Sequence, residues 1–133
     1  MERRFLLDAS SVVQALKLGN LRVIYGNYIQ WLTVYEVVNA LWKEALLAGS
    51  ISVEEASNLV EVFAETVKLV EVLSPHPYEA EILETAAKLG LTAYDASYVV
   101  LAIRNGLSLV TEDRVLREKA KGVVKAVSLR EVL

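Results

Sequence analysis

Apolar positions along the 133-residue chain alternate between two rhythms, short and mostly apolar runs and longer stretches at helical spacing. The first run, at 3–7, reads as a strand that Asp8 ends. Ala9, Ser10 and Ser11 then turn into a helix with Val12, Val13, Leu16 and Leu18 inward, stopped by Gly19-Asn20. Residues 21–26 fit a strand or a short helix, and the pattern leaves both open. Residues 28–31 read as a second strand, after which Thr33 opens the clearest helix of the first half. Val34, Val37, Val38, Leu41, Ala45 and Leu46 form its apolar face, and Gly49 ends it.

Ser52-Val53-Glu54-Glu55 has the spacing of a capping box, so a helix is predicted from there to about Thr66, with Ala56, Leu59, Val60 and Phe63 inward. A third strand is expected over 67–73. Pro75 and Pro77 make Ser74-Pro75-His76-Pro77 a loop, with His76 facing solvent. A helix over 78–89 closes at Gly90. Another opens at Tyr94-Asp95-Ala96, carries Val99, Val100, Ala102 and Ile103 at helical spacing, and ends at Asn105-Gly106. Residues 107–110 are too few for a helix and read as a buried strand. Thr111-Glu112-Asp113 follows, then a helix from Arg114, an edge strand over 123–127 and a last turn capped by Ser128. Strands alternating with helices predict one α/β domain over 1–133. Its central parallel sheet of about four to five strands would carry helices on both faces.

Composition narrows the chemistry. The chain has no cysteine and one histidine, which removes disulfides, thiol catalysis, cysteine-ligated metals and multi-histidine sites. Hydrophobic residues make up 54%, enough for a real core, yet no run reaches the roughly 18 residues of a membrane span. The apolar start after Met1-Glu2-Arg3-Arg4 stops at Asp8, too short for a secretory signal, so a cytoplasmic protein is expected. A net charge of −3 argues against coating nucleic acid by bulk positive charge, though not against cutting it.

Carboxylates and hydroxyls remain. Asp8, Glu36, Asp95 and Asp113 fall near strand carboxyl ends or helix starts, the edge where parallel α/β folds gather their chemistry. Each alone also reads as a helix cap: Asp8 and Asp113 as N-caps, Thr33-x-x-Glu36 and Thr92-x-x-Asp95 as capping boxes. Together on one sheet edge they make an acidic nest of the kind hard divalent cations favour. Trp31, Trp42 and the tyrosines read as core or interface in preference to base-stacking platforms. Glu112 reads as solvated surface, with an extra metal ligand as the alternative. Arg104, Arg114, Arg117, Lys119 and Lys121 either guide a phosphate backbone or form a plain solvated face.

The ordered set LLDASSVV, TVYEVVNALWK, LTAYDASYVVLA and LVTEDRVL resembles the PIN-domain ribonucleases, and most of all the VapC-type toxins of VapBC toxin–antitoxin pairs. The resemblance spans nearly the whole chain. It implies Asp8, Glu36, Asp95 and Asp113 as a metal-binding and catalytic quartet for Mg²⁺ or Mn²⁺, with Ser10 and Thr111 supporting the site. It also implies endonucleolytic hydrolysis of RNA and a small antitoxin partner. It points the same way as the apolar excess of Trp31, Trp42, Tyr35 and Phe63, toward a homodimer with no membrane attachment; of the basic cluster, Arg104 and Arg114 are the candidate RNA contacts. Three other readings stand beside it. They are a non-catalytic PIN-like binding module, a PIN nuclease of RNA processing outside toxin–antitoxin systems, and a flavodoxin-like receiver. The last wants a lysine after the final strands, whereas Lys125 falls inside one.

Overall fold

The computed structural model describes residues 4–133. Five short strands, β1 (Phe5–Leu7), β2 (Tyr28–Gln30), β3 (Glu71–Leu73), β4 (Ser108–Val110) and β5 (Ala126–Val127), pair in parallel in the order β3-β2-β1-β4-β5. The helices between them are α1 (Ala9–Leu18), α2 (Trp31–Trp42), α3 (Val53–Val67), α4 (Glu79–Leu89), α5 (Ala93–Asn105) and α6 (Arg114–Ala120). The predicted α/β architecture is therefore the observed one. Arg3, where the predicted first strand began, lies outside the described residues, as do Met1 and Glu2 at the head of the presumed non-signal start.

The strand order carries the functional consequence. The chain lays β2 and β3 on one side of β1, then returns through α4 and α5 to place β4 on the other side. β1 is thus the central strand, flanked by β2 and β4, with Leu7 opposite Val110, and the order in which strands are added reverses between β1 and β4. Open parallel sheets bind ligands in the crevice beyond the strand carboxyl ends at that reversal.

Alternation along each strand divides the core between the two faces. Leu7, Ile29 and Val110 point toward α1, α2 and α3, where Val12, Leu16, Val37, Leu41 and Phe63 complete one cluster. Leu6 and Leu109 point the other way, onto Tyr98, Val99, Leu101 and Ala102 of α5 and Leu116 and Ala120 of α6. Leu109 is wholly buried at the centre of this second cluster, so Leu109→Ala is expected to cost about 2–5 kcal/mol. Gly19 and Gly106 end α1 and α5 in the left-handed region, with φ of 69° and 62°, as the sequence predicts. Among the described residues no helix is long and apolar enough to cross a membrane.

Several boundaries move, each for a local reason. Residues 22–26 form turns, neither strand nor helix. Their contribution is to bury Val23 and Ile24 and to let Asn27 close the segment onto the Val23 carbonyl. Trp31 belongs to α2 and not to β2, because the wholly buried Gln30 is the N-cap and Thr33 accepts its backbone N–H at 3.1 Å. The capping box predicted at Thr33–Glu36 is displaced one turn earlier, leaving Glu36 in the second turn. After Trp42 the helix loosens into a π-helical stretch, Lys43–Ala48, before Gly49 stops it. Of the third strand only Glu71–Leu73 forms, since α3 runs on to Val67 and turns follow. Likewise β5 keeps just Ala126–Val127 of the predicted edge strand. The box at Ser52 and Glu55 and the cap at Ser128 form as read.

Candidate active site

Asp8 leaves β1 at its carboxyl end and caps α1. Its backbone N–H donates to the Val110 carbonyl at 3.1 Å, which seats it beside the end of β4. Its Oδ1 accepts from the Ser11 backbone N–H at 3.0 Å and from the Ser10 hydroxyl at 2.7 Å. The Ser11 hydroxyl lies 2.9 Å from both the Asp8 and the Val110 carbonyls, binding the two strand ends together. The side chain is buried, and burial pushes its pKa above the ordinary 3.8, against the hydroxyls of Thr111 and Ser10 and the donors of Ser11, which favour the ionised form.

Thr111 and Asp113 come off β4 next door. Thr111 is wholly buried, and its Oγ1 accepts the Asp113 backbone N–H at 3.1 Å and lies 3.4 Å from the Ser10 hydroxyl. Asp113 caps α6, Oδ1 accepting from the N–H groups of Val115 at 2.9 Å and Leu116 at 3.2 Å. The cap reading of Asp8 and Asp113 is therefore correct, and each cap leaves Oδ2 outside these bonds. Glu112 is exposed, as its solvated-surface reading expects, but it is also engaged. Its backbone N–H donates to Ser10 Oγ at 2.9 Å and its carboxylate accepts from the Leu129 N–H at 2.6 Å, so it clasps the carboxyl-terminal turn.

Glu36 stands on α2 and Asp95 on α5, two helices packed on opposite faces of the sheet. Asp95 sits in the first turn of α5, its N–H donating to the Thr92 hydroxyl at 3.2 Å. That is half of the predicted box, because no bond returns from its carboxylate among the described residues. Glu36 accepts a 2.6 Å hydrogen bond from the Tyr98 hydroxyl. Both carboxyls are half-buried and raised. For Glu36 burial acts first, opposed by Tyr98 and reinforced by the charges of Asp8 and Asp95. For Asp95 burial again leads, with Asp113 and Asp8 adding to it and Lys119 opposing. These couplings put all four predicted acids in one electrostatic group.

Such a group fits a hard divalent cation. Its donors are oxygens delivered by four different elements, and their mutual repulsion is what a cation relieves. As the side chains stand, no three of the described carboxylates converge on one cation position, so binding requires them to turn inward.

Sequence reasoning missed Tyr98 and Thr33 as parts of the site. Tyr98 is 1% exposed, a core residue as the tyrosines were read, yet its hydroxyl reaches Glu36 and stands 2.8 Å from Thr33 Oγ1. Burial above all, then the bond to Glu36, holds its pKa well above the ordinary 10.0, so it remains a proton donor. A signal existed in the spacing: Tyr98 follows Asp95 by three, and Thr33 precedes Glu36 by three. Among the basic residues, Arg104 pairs with Glu81 at 2.8 Å and stacks 5.1 Å from the Tyr78 ring. Arg117 donates to the Thr111 carbonyl at 2.6 Å and Lys119 to that of Gly90 at 2.8 Å. Lys121 pairs with Glu118, and Arg114 is exposed beside Asp113.

A model of the PIN domain family matches residues 6–122. The chain is 36% identical to Exonuclease VapC9 of Pyrobaculum aerophilum over 97% of its own length and 95% of the relative's. It is 44% identical to Ribonuclease VapC3 of the same organism over 70% of each. The crystal structure of PAE2754 from Pyrobaculum aerophilum superposes with a TM-score of 0.81 at 36% identity, covering 99% of this chain and 88% of that one.

Proposed function

The chain belongs to the PIN domain family, with VapC proteins among its relatives, and we propose that it is a metal-dependent endoribonuclease, the toxin of a type II toxin–antitoxin pair. The observation that carries this reading is the gathering of Asp8 and Asp113 at the paired ends of β1 and β4, where the strand order reverses, with Glu36 tied through Tyr98 to the helix that carries Asp95. In this reading the four acids hold Mg²⁺ or Mn²⁺, which supplies positive charge for the scissile phosphate and eases the ionisation of water. Asp8 is held by Ser10 and Ser11, and Asp113 by the first turn of α6, so two donors are fixed before any ligand arrives. Glu36 is oriented by Tyr98, while Asp95 lacks a side-chain hydrogen bond among the described residues and is free to turn. Ser10 and Thr111 support the site through Asp8 and Asp113. Arg114, exposed next to Asp113, is placed to meet a phosphate, whereas Arg104 must first leave Glu81.

The partners follow from the surface. Trp31, Tyr35, Val38, Trp42, Leu46 and Leu47 are exposed along α2 and its π-helical extension. A cleft of about 800 Å³ lies there, lined by Val34, Tyr35, Val38, Asn39 and Trp42 and bordered by Glu36. An apolar patch of this kind on a small domain supports a protein interface, and a small antitoxin and a second copy of the chain are the partners proposed.

The test is cleavage of a circular RNA and its linear form. The expected result is cutting of both with Mg²⁺ or Mn²⁺ and of neither with EDTA. Cutting of the linear form alone would replace the endonuclease with an exonuclease, the activity named for one relative. Cutting that persists in EDTA would remove the metal.

A further inference from the structure

Two adjacent residues of α5 are tied to the start of α2. The Gln30 side-chain amide, wholly buried at the N-cap of α2, donates to the Ser97 hydroxyl at 2.8 Å, and Ser97 in turn donates to the Tyr94 carbonyl at 2.6 Å. Tyr98 makes the second tie, standing 2.8 Å from Thr33 Oγ1 and 2.6 Å from Glu36 Oε1. Proton positions in this second tie follow from the bonds. Tyr98 spends its one hydrogen on Glu36. Thr33 Oγ1 already accepts the Gln30 backbone N–H at 3.1 Å, so its own hydrogen is the one directed at Tyr98. The chain of donation therefore runs Gln30, Thr33, Tyr98, Glu36, and it ends on a carboxylate.

We infer that Tyr98 is a positioning residue. It holds Glu36 at a set separation from Asp95, so that one acid from α2 and one from α5 face the same cation. The inference rests on the metal-site reading above. Its ground is placement. Asp95 and Tyr98 are one turn apart on the same side of α5, as Thr33 and Glu36 are on α2. A strut from Tyr98 to that side of α2 thus spans the interval between the two carboxylates. Glu36, exposed in part and three rotatable bonds from its backbone, has no other hydrogen bond among the described residues to hold it. Tyr98 cannot swing away, being buried among Leu6, Val99, Leu101 and Leu109. Hydrogen-bond partners behind metal-ligating side chains orient them, and their loss typically lowers metal affinity about 10–100-fold.

The experiment is Mn²⁺ titration by calorimetry, without RNA, on the parent chain, Tyr98→Phe, Glu36→Ala and the double variant. Tyr98→Phe is expected to weaken Mn²⁺ binding about ten-fold in the parent and to change nothing further in the Glu36→Ala background. Equal weakening in both backgrounds would mean that Tyr98 acts through the packing of α5 and would overturn the inference. So would unchanged binding in Tyr98→Phe while Glu36→Ala loses affinity. If Glu36→Ala binds as the parent does, Glu36 is no ligand; the metal-site reading then fails at that residue and takes the inference with it. Should Tyr98→Phe not melt cooperatively, Thr33→Val carries the same test, with a smaller expected weakening and the same dependence on Glu36.

Discussion

Asp8 and Val110 lie 102 positions apart in sequence, yet the N–H of the first donates to the carbonyl of the second at 3.1 Å. This bond joins the end of β1 to the end of β4 at the only place where the sheet order reverses among the described strands. The neighbouring Ser11 hydroxyl, within 2.9 Å of both the Asp8 and the Val110 carbonyls, seals the same junction. It is wholly buried. Ser11→Ala should therefore cost about 1 kcal/mol, because the one hydroxyl hydrogen shared between the two carbonyls is lost while each keeps a backbone N–H donor. Chemical denaturation measures it, and a loss within error would mean that water replaces the hydroxyl.

Asp95→Asn should stay folded and lose at least about a hundred-fold in RNA cleavage. Its carboxylate supports no hydrogen bond among the described residues, and the charges of Asp113 and Asp8 act against its ionised form, so neutralising it costs the fold little. Cleavage assays beside thermal melts check both halves. Full activity would remove Asp95 from the proposed catalytic set.

Stability of the metal-free protein should fall as pH rises from acid toward neutral. The folded pKa values of Asp8, Glu36 and Asp95 are raised, Asp8 by burial above all. Below the ordinary carboxylate range both folded and unfolded states are protonated and no penalty exists. As pH climbs past the unfolded values the folded state keeps protons that the unfolded chain has released, and the penalty grows until the folded groups ionise. Mn²⁺ at about 100 times its Kd should return roughly 2.7 kcal/mol at neutral pH. In Asp8→Asn the amide oxygen can still accept from Ser11, so the apo form should be at least as stable as the parent and the Mn²⁺ response smaller. Equal Mn²⁺ shifts in the two proteins would take Asp8 out of the shared site.

At Asp113 two roles separate by substitution. Asp113→Ala removes the acceptor for the Val115 and Leu116 N–H groups and should cost about 1 kcal/mol, whereas Asp113→Asn retains the cap. Both should bind Mn²⁺ less well. Metal binding unaffected by either would leave Asp113 as a cap alone.

Arg114→Ala should weaken RNA binding across sequences and reduce its salt dependence by about one unit of slope, as expected for one phosphate contact. Arg104→Ala should change RNA binding less, since its guanidinium is engaged by Glu81 and Tyr78. Filter binding over a salt series, with a catalytically silent Asp95→Asn background, distinguishes them. The reverse ranking would move the RNA path from α6 toward α5.

Much of this arrangement was legible in the sequence because its cues are local. Gly19, Gly106, Ser52-x-x-Glu55 and the run at Leu109-Val110 each specify their own few residues of backbone. The four acids could be named because strand ends and helix starts share an edge in any parallel sheet. What escaped depends on partners distant in sequence. Nothing near Thr33 announces that the wholly buried Gln30 starts the helix, because its amide partner, Ser97, is 67 positions away. Tyr98 looks like any core aromatic until the packing of α5 brings its hydroxyl within reach of α2. Glu112 is exposed surface, as read, but nothing near it announces its bond to the Leu129 N–H, 17 positions on.

The position of β4 beside the middle strand of the sheet has a bearing on how such a chain comes into being. β1 is made early, and its inner partner β4 is made only after more than three-quarters of the 133 residues have been joined. Until Val110 emerges, the Asp8 N–H lacks the carbonyl that seats it, and Asp113 has not been synthesised at all. A growing or broken-off chain therefore carries three of the acids without a crevice to gather them. Completion of the fold is itself a condition for the acid group to exist, and the interval before it is a span of synthesis in which the proposed nuclease is silent.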